Sequence, residues 1–211
     1  LANNHTFDFG SRAYADMESK LESLGIVTVG AGHDLNESRQ LKIVEKRGVR
    51  FGFLAYSSRT TKGSAYADQK SPGVAPLDLD IVEADITRHR NDVDHLIVSL
   101  HWGVEYAEYP TPDQMDIGHR IIDAGARLII GHHPHIIQGY EHYKEGLILY
   151  SLGNFVDSDL EWHGADKTYA ANLKEADGES ILAQIRFSKT DIVSTEFIPL
   201  WLNDEGQPEI A

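Results

Sequence analysis

The sequence predicts an α/β fold built on a mixed sheet or on two facing sheets. Short apolar segments alternate with amphipathic helical ones, the pattern of layered helices and strands. Segments 41–56, 136–150 and 180–200 read as antiparallel hairpins, which a purely doubly wound sheet would lack. Histidine-bearing turns follow two of the strands, where α/β sheets gather their ligand sites.

In chain order, "SRAYADMESKLESLG" is a helix with Tyr14, Met17, Leu21 and Leu24 on one face. Ser11 is its expected N-cap and Gly25 its stop. "IVTVG" reads as a short buried strand, and "LKIVEKRGVRFGFLAY" as two strands joined at Gly48. Residues 57–76 are rich in Ser, Thr, Gly, Pro and Lys and read as a long loop. "LDLDIVEADITRHR" is a helix with Leu79, Val82 and Ile86 on a face, and "DHLIVSLHWG" is a strand. "TPDQMDIGHRIIDAG" carries a full set of helix signals. Thr111 caps it, Pro112 opens it, Gln114 completes a capping box and Gly125 ends it. "RLIIG" is the next strand, followed by a hairpin around Lys144–Gly146, a polar loop over 158–178 and two final strands.

With 211 residues the chain suffices for one sizeable domain, and 1–211 is read as a single domain. It opens on "LANNH", which reads like the inside of an element, so an N-terminally incomplete domain is expected. No cell address is legible. The absence of cysteine excludes disulfides, thiolate metal sites and a cysteine nucleophile. A net charge of −14 argues against nucleic acid or an anionic membrane surface as the main partner. No apolar run approaches the ~18 residues of a membrane span, and no Gly-x-Ser-x-Gly elbow marks a serine hydrolase.

The chemistry lies in the histidine turns. "LIIGHHPHI" puts His132, His133 and His135 at one strand end, and "VSLHWGVEY" puts His101 and Glu105 at another. "NNHTFDFG" adds Asn4, His5 and Asp8. Imidazole suits zinc, iron or manganese, and carboxamide or carboxylate oxygen suits the harder ions. In an extended segment His133 and His135 would share a side and His132 would face away. His101 and Asn4 could join them, and His5 could donate a proton to a leaving group. Asp8 is expected to be a turn or capping residue, with Glu105 and Tyr106 at the rim or in a solvated loop. His33, His89, His95, His119, His142 and His163 read as isolated surface or satisfied histidines.

"LANNHTFDFG", "VSLHWGVEY", "DAGARLIIGHHPHIIQGYE" and "LILYSLGNFVDS" occur in this order over most of residues 1–157. Together they resemble the bacterial capsule-A family, associated with poly-γ-glutamate synthesis, within the calcineurin-like metallophosphoesterase superfamily. The resemblance implies a four-layer αββα sandwich of two mixed sheets, here without its first strands. It implies one or two divalent ions, Mn, Fe or Zn, held by Asn4, His101, His133 and His135. His132 stays open as an alternative to His133. His5 would be the catalytic proton donor, Glu105 a second catalytic candidate, and Asn154 a neighbour of the site. The superfamily's first carboxylate ligands lie upstream of the Asn-His block, and neither Glu105 nor Asp8 is expected to replace the bridging one.

The implied activity is metal-dependent hydrolysis in capsule polymer synthesis, release or processing, or on phosphoesters. The alternatives are a non-catalytic polymer-binding component and a peptide epimerase working by proton transfer. The implied partners are an anionic polymer or phosphoester and a membrane-associated capsule machinery at the bacterial cell surface. An anionic polymer needs a cationic approach, for which Arg12, Arg59, Lys62 and Lys70 are candidates.

Overall fold

The computed structural model describes residues 1–61, 63–156, 160–163, 168–171 and 178–211. Its elements in chain order are α1 (Gly10–Ser23), β1 (Ala31–Gly32), α2 (Leu35–Ser38), β2 (Lys42–Lys46), β3 (Val49–Ser57), β4 (Gly73–Val74) and α3 (Leu79–His89). Then come β5 (His95–His101), α4 (Pro112–Ala124), β6 (Leu128–His132), β7 (Tyr140–Tyr143) and β8 (Gly146–Leu149). The last are β9 (Leu160–His163), β10 (Thr168–Ala171), β11 (Glu179–Phe187), β12 (Ile192–Leu202) and β13 (Pro208–Ile210).

The main sheet has the order β2-β3-β5-β6-β8-β7. Its four inner strands run parallel, and the outer two pair antiparallel with their neighbours. β5 is covered on both faces, which is why "HLIVSLH" is apolar nearly throughout. Leu96, Val98 and Leu100 pack with Val82 and Ile86 of α3 and Ile121 and Ile122 of α4. Ile97 faces the other way, in a cluster with Leu128, Leu147 and Leu149 that includes Ala183, Ile185, Phe187 and Phe197 of a second, antiparallel sheet β11-β12-β13. The described layers are thus helix, sheet and sheet. The alternation fixes the side on which Ser99 and His101 emerge: with Ile97, toward the second sheet.

Helix α4 matches the expected boundaries. The Thr111 hydroxyl accepts from the Gln114 backbone, and the Gln114 side chain accepts from the Thr111 backbone. The β2–β3 hairpin turns through Arg47 and Gly48, both with positive φ, the geometry that matches strand twist. α1 ends as expected at Gly25, with Ile26 N–H donating to Leu21 and Gly25 N–H to Glu22, a Schellman closure.

Several expectations are corrected. Ser11 does not cap α1; the cap position is Phe9, which has no capping side chain. Residues 26–30 form no strand, and Ile26 and Val27 are exposed, because no described strand lies alongside to pair with them. Pairing starts one residue later, where Ala31 and Gly32 meet Val74 and Gly73. Within the polar stretch 158–178, β9 and β10 pair antiparallel, and the rest of that stretch up to 177 lies outside the described residues.

Candidate metal centre

Three segments meet at the C-terminal ends of β5 and β6. β5 delivers His101 and β6 delivers His132, directly paired across the parallel ladder. The turn after β6 carries His133 and His135, the loop after β5 carries Glu105, and the loop at 1–9 inserts Asn4. Gly131 lets the strands close below them. A Cβ there would lie 2.1 Å from the Tyr150 carbonyl oxygen and 2.5 Å from Trp102 Nε1, which themselves hydrogen-bond at 3.0 Å.

The expected extended path through the histidines is not what brings them together. His133 has φ 104° and His135 φ 65°, so the chain reverses locally instead of alternating. Their rings still converge, with centroids 5.9 Å apart, and His133 lies 4.5 Å from His101. Among the described residues, Glu105, His133 and His135 present ligand atoms all within 4.8 Å of one another, a possible His/Glu metal site. Glu105 therefore reaches ligand range, although it was not expected to stand in for a missing carboxylate.

Asn4 is buried, and its Oδ1 lies 2.9 Å from His101 Nε2. These two atoms would be able to hold one cation together. His133 Nδ1 is buried with no hydrogen-bond partner among the described residues, as is His95 Nδ1 away from the cluster. His132 differs. Its Nε2 sits 2.9 Å from Ser99 Oγ and its Nδ1 3.0 Å from His101 Nδ1, so both ring nitrogens are engaged within the protein. His135 Nδ1 meets Asn154 Oδ1 at 2.9 Å, which leaves its Nε2 for other work, and the Tyr106 ring stacks on it.

Burial acts on these imidazoles first. It pushes His101 down to about 2, with His132, His133, His135 and His5 adding repulsion. His132 falls to about 4 by burial and neighbouring positive charge. His133 is lowered by burial, partly offset by the Glu105 carboxylate. His101, His132 and His133 are therefore neutral at neutral pH, the form in which an imidazole can offer a lone pair to a cation.

His5 is exposed at the edge of the cluster, and its Nδ1 lies 2.7 Å from Asp8 Oδ2. Asp8 stands in the expected turn, its N–H donating to the His5 carbonyl, and its side chain partners His5 without capping α1. Among the approach residues, Arg59 sits over the Tyr66 ring at 4.7 Å, Arg12 and Lys70 are exposed, and Lys62 lies outside the described residues. A cavity of about 530 Å³ opens beside His133, lined by Ser58, Trp102, Glu105, Tyr106, Thr111 and Asp113 among others.

Gln114 and Gln138 carry no signal in the sequence beyond the capping box, yet they anchor the Glu105 loop. Gln114 Nε2 donates to Gln138 Oε1 at 3.1 Å, and Gln138 Nε2 donates to the Ala107 carbonyl at 2.8 Å. Asp85 was also missed. It is a buried carboxylate that accepts two hydrogen bonds from Arg39 and one from the Tyr56 hydroxyl.

A mixed sheet backed by a second sheet, with imidazoles converging at the ends of its parallel strands, gives the chain a metallo-dependent phosphatase-like α/β fold. Solved structures share this fold. One is a phosphatase from Mycoplasma pneumoniae, with TM-score 0.52, 12% identity and coverage of 79% of this chain and 58% of that one. Another is a 5′-nucleotidase candidate from Staphylococcus aureus solved with alpha-ketoglutarate, with TM-score 0.57, 14% identity and coverage of 93% and 36%. The sequence model of the family described as "Bacterial capsule synthesis protein PGA_cap" matches residues 1–159, and the chain belongs to that family. Capsule biosynthesis protein CapA of Bacillus anthracis is 34% identical over 160 residues, covering 74% of this chain and 39% of the relative. PGA biosynthesis protein CapA of Bacillus subtilis is 36% identical over 156 residues, covering 74% and 41%. The chain thus spans about two fifths of the length of these relatives.

Proposed function

We propose that this chain carries the metal-binding centre of a divalent-metal hydrolase that works in poly-γ-glutamate synthesis, on the polymer itself or on a phosphoester. One observation carries the reading: imidazoles and oxygen donors from three separate segments converge at the strand ends, with Glu105, His133 and His135 presenting ligand atoms within 4.8 Å of one another and Asn4 Oδ1 2.9 Å from His101 Nε2. Asn4, His101, His133 and His135 are the proposed ligands, with Glu105 as a further oxygen donor. A bound ion of the Mn, Fe or Zn class supplies an acidified water and polarises a phosphoryl or carbonyl oxygen.

The chain's own residues do the rest. Asp8 accepts from His5 Nδ1–H, which fixes the ring and leaves Nε2 to donate a proton to a leaving group when the imidazole is protonated on both nitrogens. Asn154 accepts from His135 Nδ1–H and so directs Nε2 inward. The Trp102 and Tyr106 side of the adjacent cavity offers an apolar wall for the body of a substrate. The membrane-associated capsule machinery of the family is the proposed setting, and 1–211 the proposed single domain.

The test is metal content by plasma mass spectrometry on protein purified without chelator, followed by turnover of phosphoesters and γ-glutamyl polymers. One or two equivalents of metal are expected, with metal and turnover both lost in the H133A/H135A double variant. Unchanged turnover in that variant overturns the reading. Polymer binding that survives chelator, with no hydrolysis, would instead assign a purely binding role.

A further inference from the structure

The buried chain Ser99–His132–His101–Asn4 has a direction, and that direction depends on what His101 Nε2 is doing. The contacts are 2.9 Å from Ser99 Oγ to His132 Nε2, 3.0 Å between the two Nδ1 atoms, and 2.9 Å from His101 Nε2 to Asn4 Oδ1. A carboxamide oxygen only accepts, so without an ion His101 Nε2 carries the proton and its Nδ1 is a bare acceptor. His132 must then donate from Nδ1, and its Nε2 accepts from the Ser99 hydroxyl.

An ion on His101 Nε2 inverts each of these roles. Nε2 can no longer carry hydrogen, so the neutral ring holds its proton on Nδ1. His132 Nδ1 must become the acceptor, because two N–H groups cannot face each other at 3.0 Å. Its proton then sits on Nε2 and points at Ser99 Oγ. We propose that His132 is the residue that positions His101 for a cation, and that cation binding reverses the hydrogen bonds along Ser99–His132–His101. This rests on the metal-centre reading above.

The protons balance. The proton on His101 Nε2 leaves to water, and the His132 Nδ1 proton crosses to His101 Nδ1. His132 Nε2 takes one proton back from water through the Ser99 hydroxyl. Each imidazole keeps one proton before and after. The scheme explains why the first histidine of "GHHPH" is present although both its nitrogens are turned inward: it is a neighbour of His101 Nδ1 that can serve as either donor or acceptor. Ser99, a hydroxyl at the far end, has the same versatility.

The experiment is nitrogen-15 NMR of histidine-labelled protein, before and after addition of Zn2+ as a diamagnetic probe. Without zinc, His101 is expected as the Nε2–H tautomer and His132 as the Nδ1–H tautomer. With zinc, both should exchange tautomers together, with His101 Nε2 showing the metal-bound shift. Zinc bound while His132 keeps its tautomer overturns this inference and leaves the metal centre standing. No zinc bound at all overturns both. As an independent readout, H132F should bind zinc about 10- to 100-fold more weakly, the usual effect of losing the group that orients a ligand. Undiminished affinity in folded H132F also overturns it.

Discussion

Gln114 Nε2 donates to Gln138 Oε1 at 3.1 Å, and this bond ties the N-terminus of α4 to the segment that follows the histidine turn. Gln138 passes the connection on to the Ala107 and Tyr109 carbonyls, so the loop carrying Glu105 hangs from two buried amides. Q138L should leave the Gln114 amide unsatisfied and cost about 1–3 kcal/mol of stability. Urea unfolding measures this, and metal affinity measured in parallel should fall as Glu105 loses its mooring. A variant as stable and as tightly metal-binding as the parent would refute the anchoring role.

Asp85 and Arg39 form a bidentate pair under the main sheet, with Asp85 buried and Arg39 partly so. D85A strands the guanidinium and the Tyr56 hydroxyl. It should cost about 3 kcal/mol, the low end for a broken buried pair because Arg39 retains some solvent. A change below 1 kcal/mol, roughly that of an exposed pair, would show that water replaces the carboxylate.

Acid should destabilise the metal-free protein. His101 and His132 are depressed to about 2 and about 4, and His133 is lowered, all chiefly by burial. Each is neutral in the fold and takes up a proton on unfolding once the pH drops below about 6.5, the ordinary histidine value. Their contribution is therefore complete above that pH and is lost progressively as pH falls toward the folded values. The limiting slope is about 1.4 kcal/mol per pH unit for each group. Urea midpoints at pH 7.5, 6 and 5 should decline steadily, and a flat profile would mean that the imidazoles are not buried as described.

Asn154 orients His135 through a 2.9 Å contact. N154A should weaken zinc binding by about 10- to 100-fold while moving the urea midpoint little. Calorimetric titration distinguishes this from an effect on folding. Equal affinity would leave Asn154 a bystander.

Gly131 has no room for a methyl group against the Tyr150 carbonyl and Trp102 Nε1. G131A should lose both the Trp102 hydrogen bond and the register that sets His101 beside His132. Near-parental zinc binding and stability in G131A would contradict that placement.

Much of this was legible in the sequence. α4 announced itself through Thr111, Pro112 and Gln114, because a capping box is a local device and needs no tertiary context. "VSLHWGVEY" and "LIIGHHPHI" placed their histidines at strand ends, as the structure has them. "IVTVG" misled because β propensity describes a strand that has a neighbour, and pairing is decided by distant chain. Asp8 stands in the turn expected of it, but its side-chain partner, His5 three residues back, carried no local signal. The roles of Asp85 and Gln138 depend on partners 46 and 24 residues away, Arg39 and Gln114, and no local pattern encodes them. The convergence of His133 and His135 was anticipated, but by the wrong backbone path.

That path has its own consequence. His133 and His135 both hold positive φ, a conformation that costs a non-glycine residue on the order of 1–3 kcal/mol, and His133 also buries an unpaired nitrogen. A library of variants sorted for heat resistance alone should therefore drift toward glycine or asparagine at these two positions and discard the histidines. Thermostability and cation capture pull this turn in opposite directions, and a sorting scheme that ignores the cation will return sturdy proteins with an empty centre.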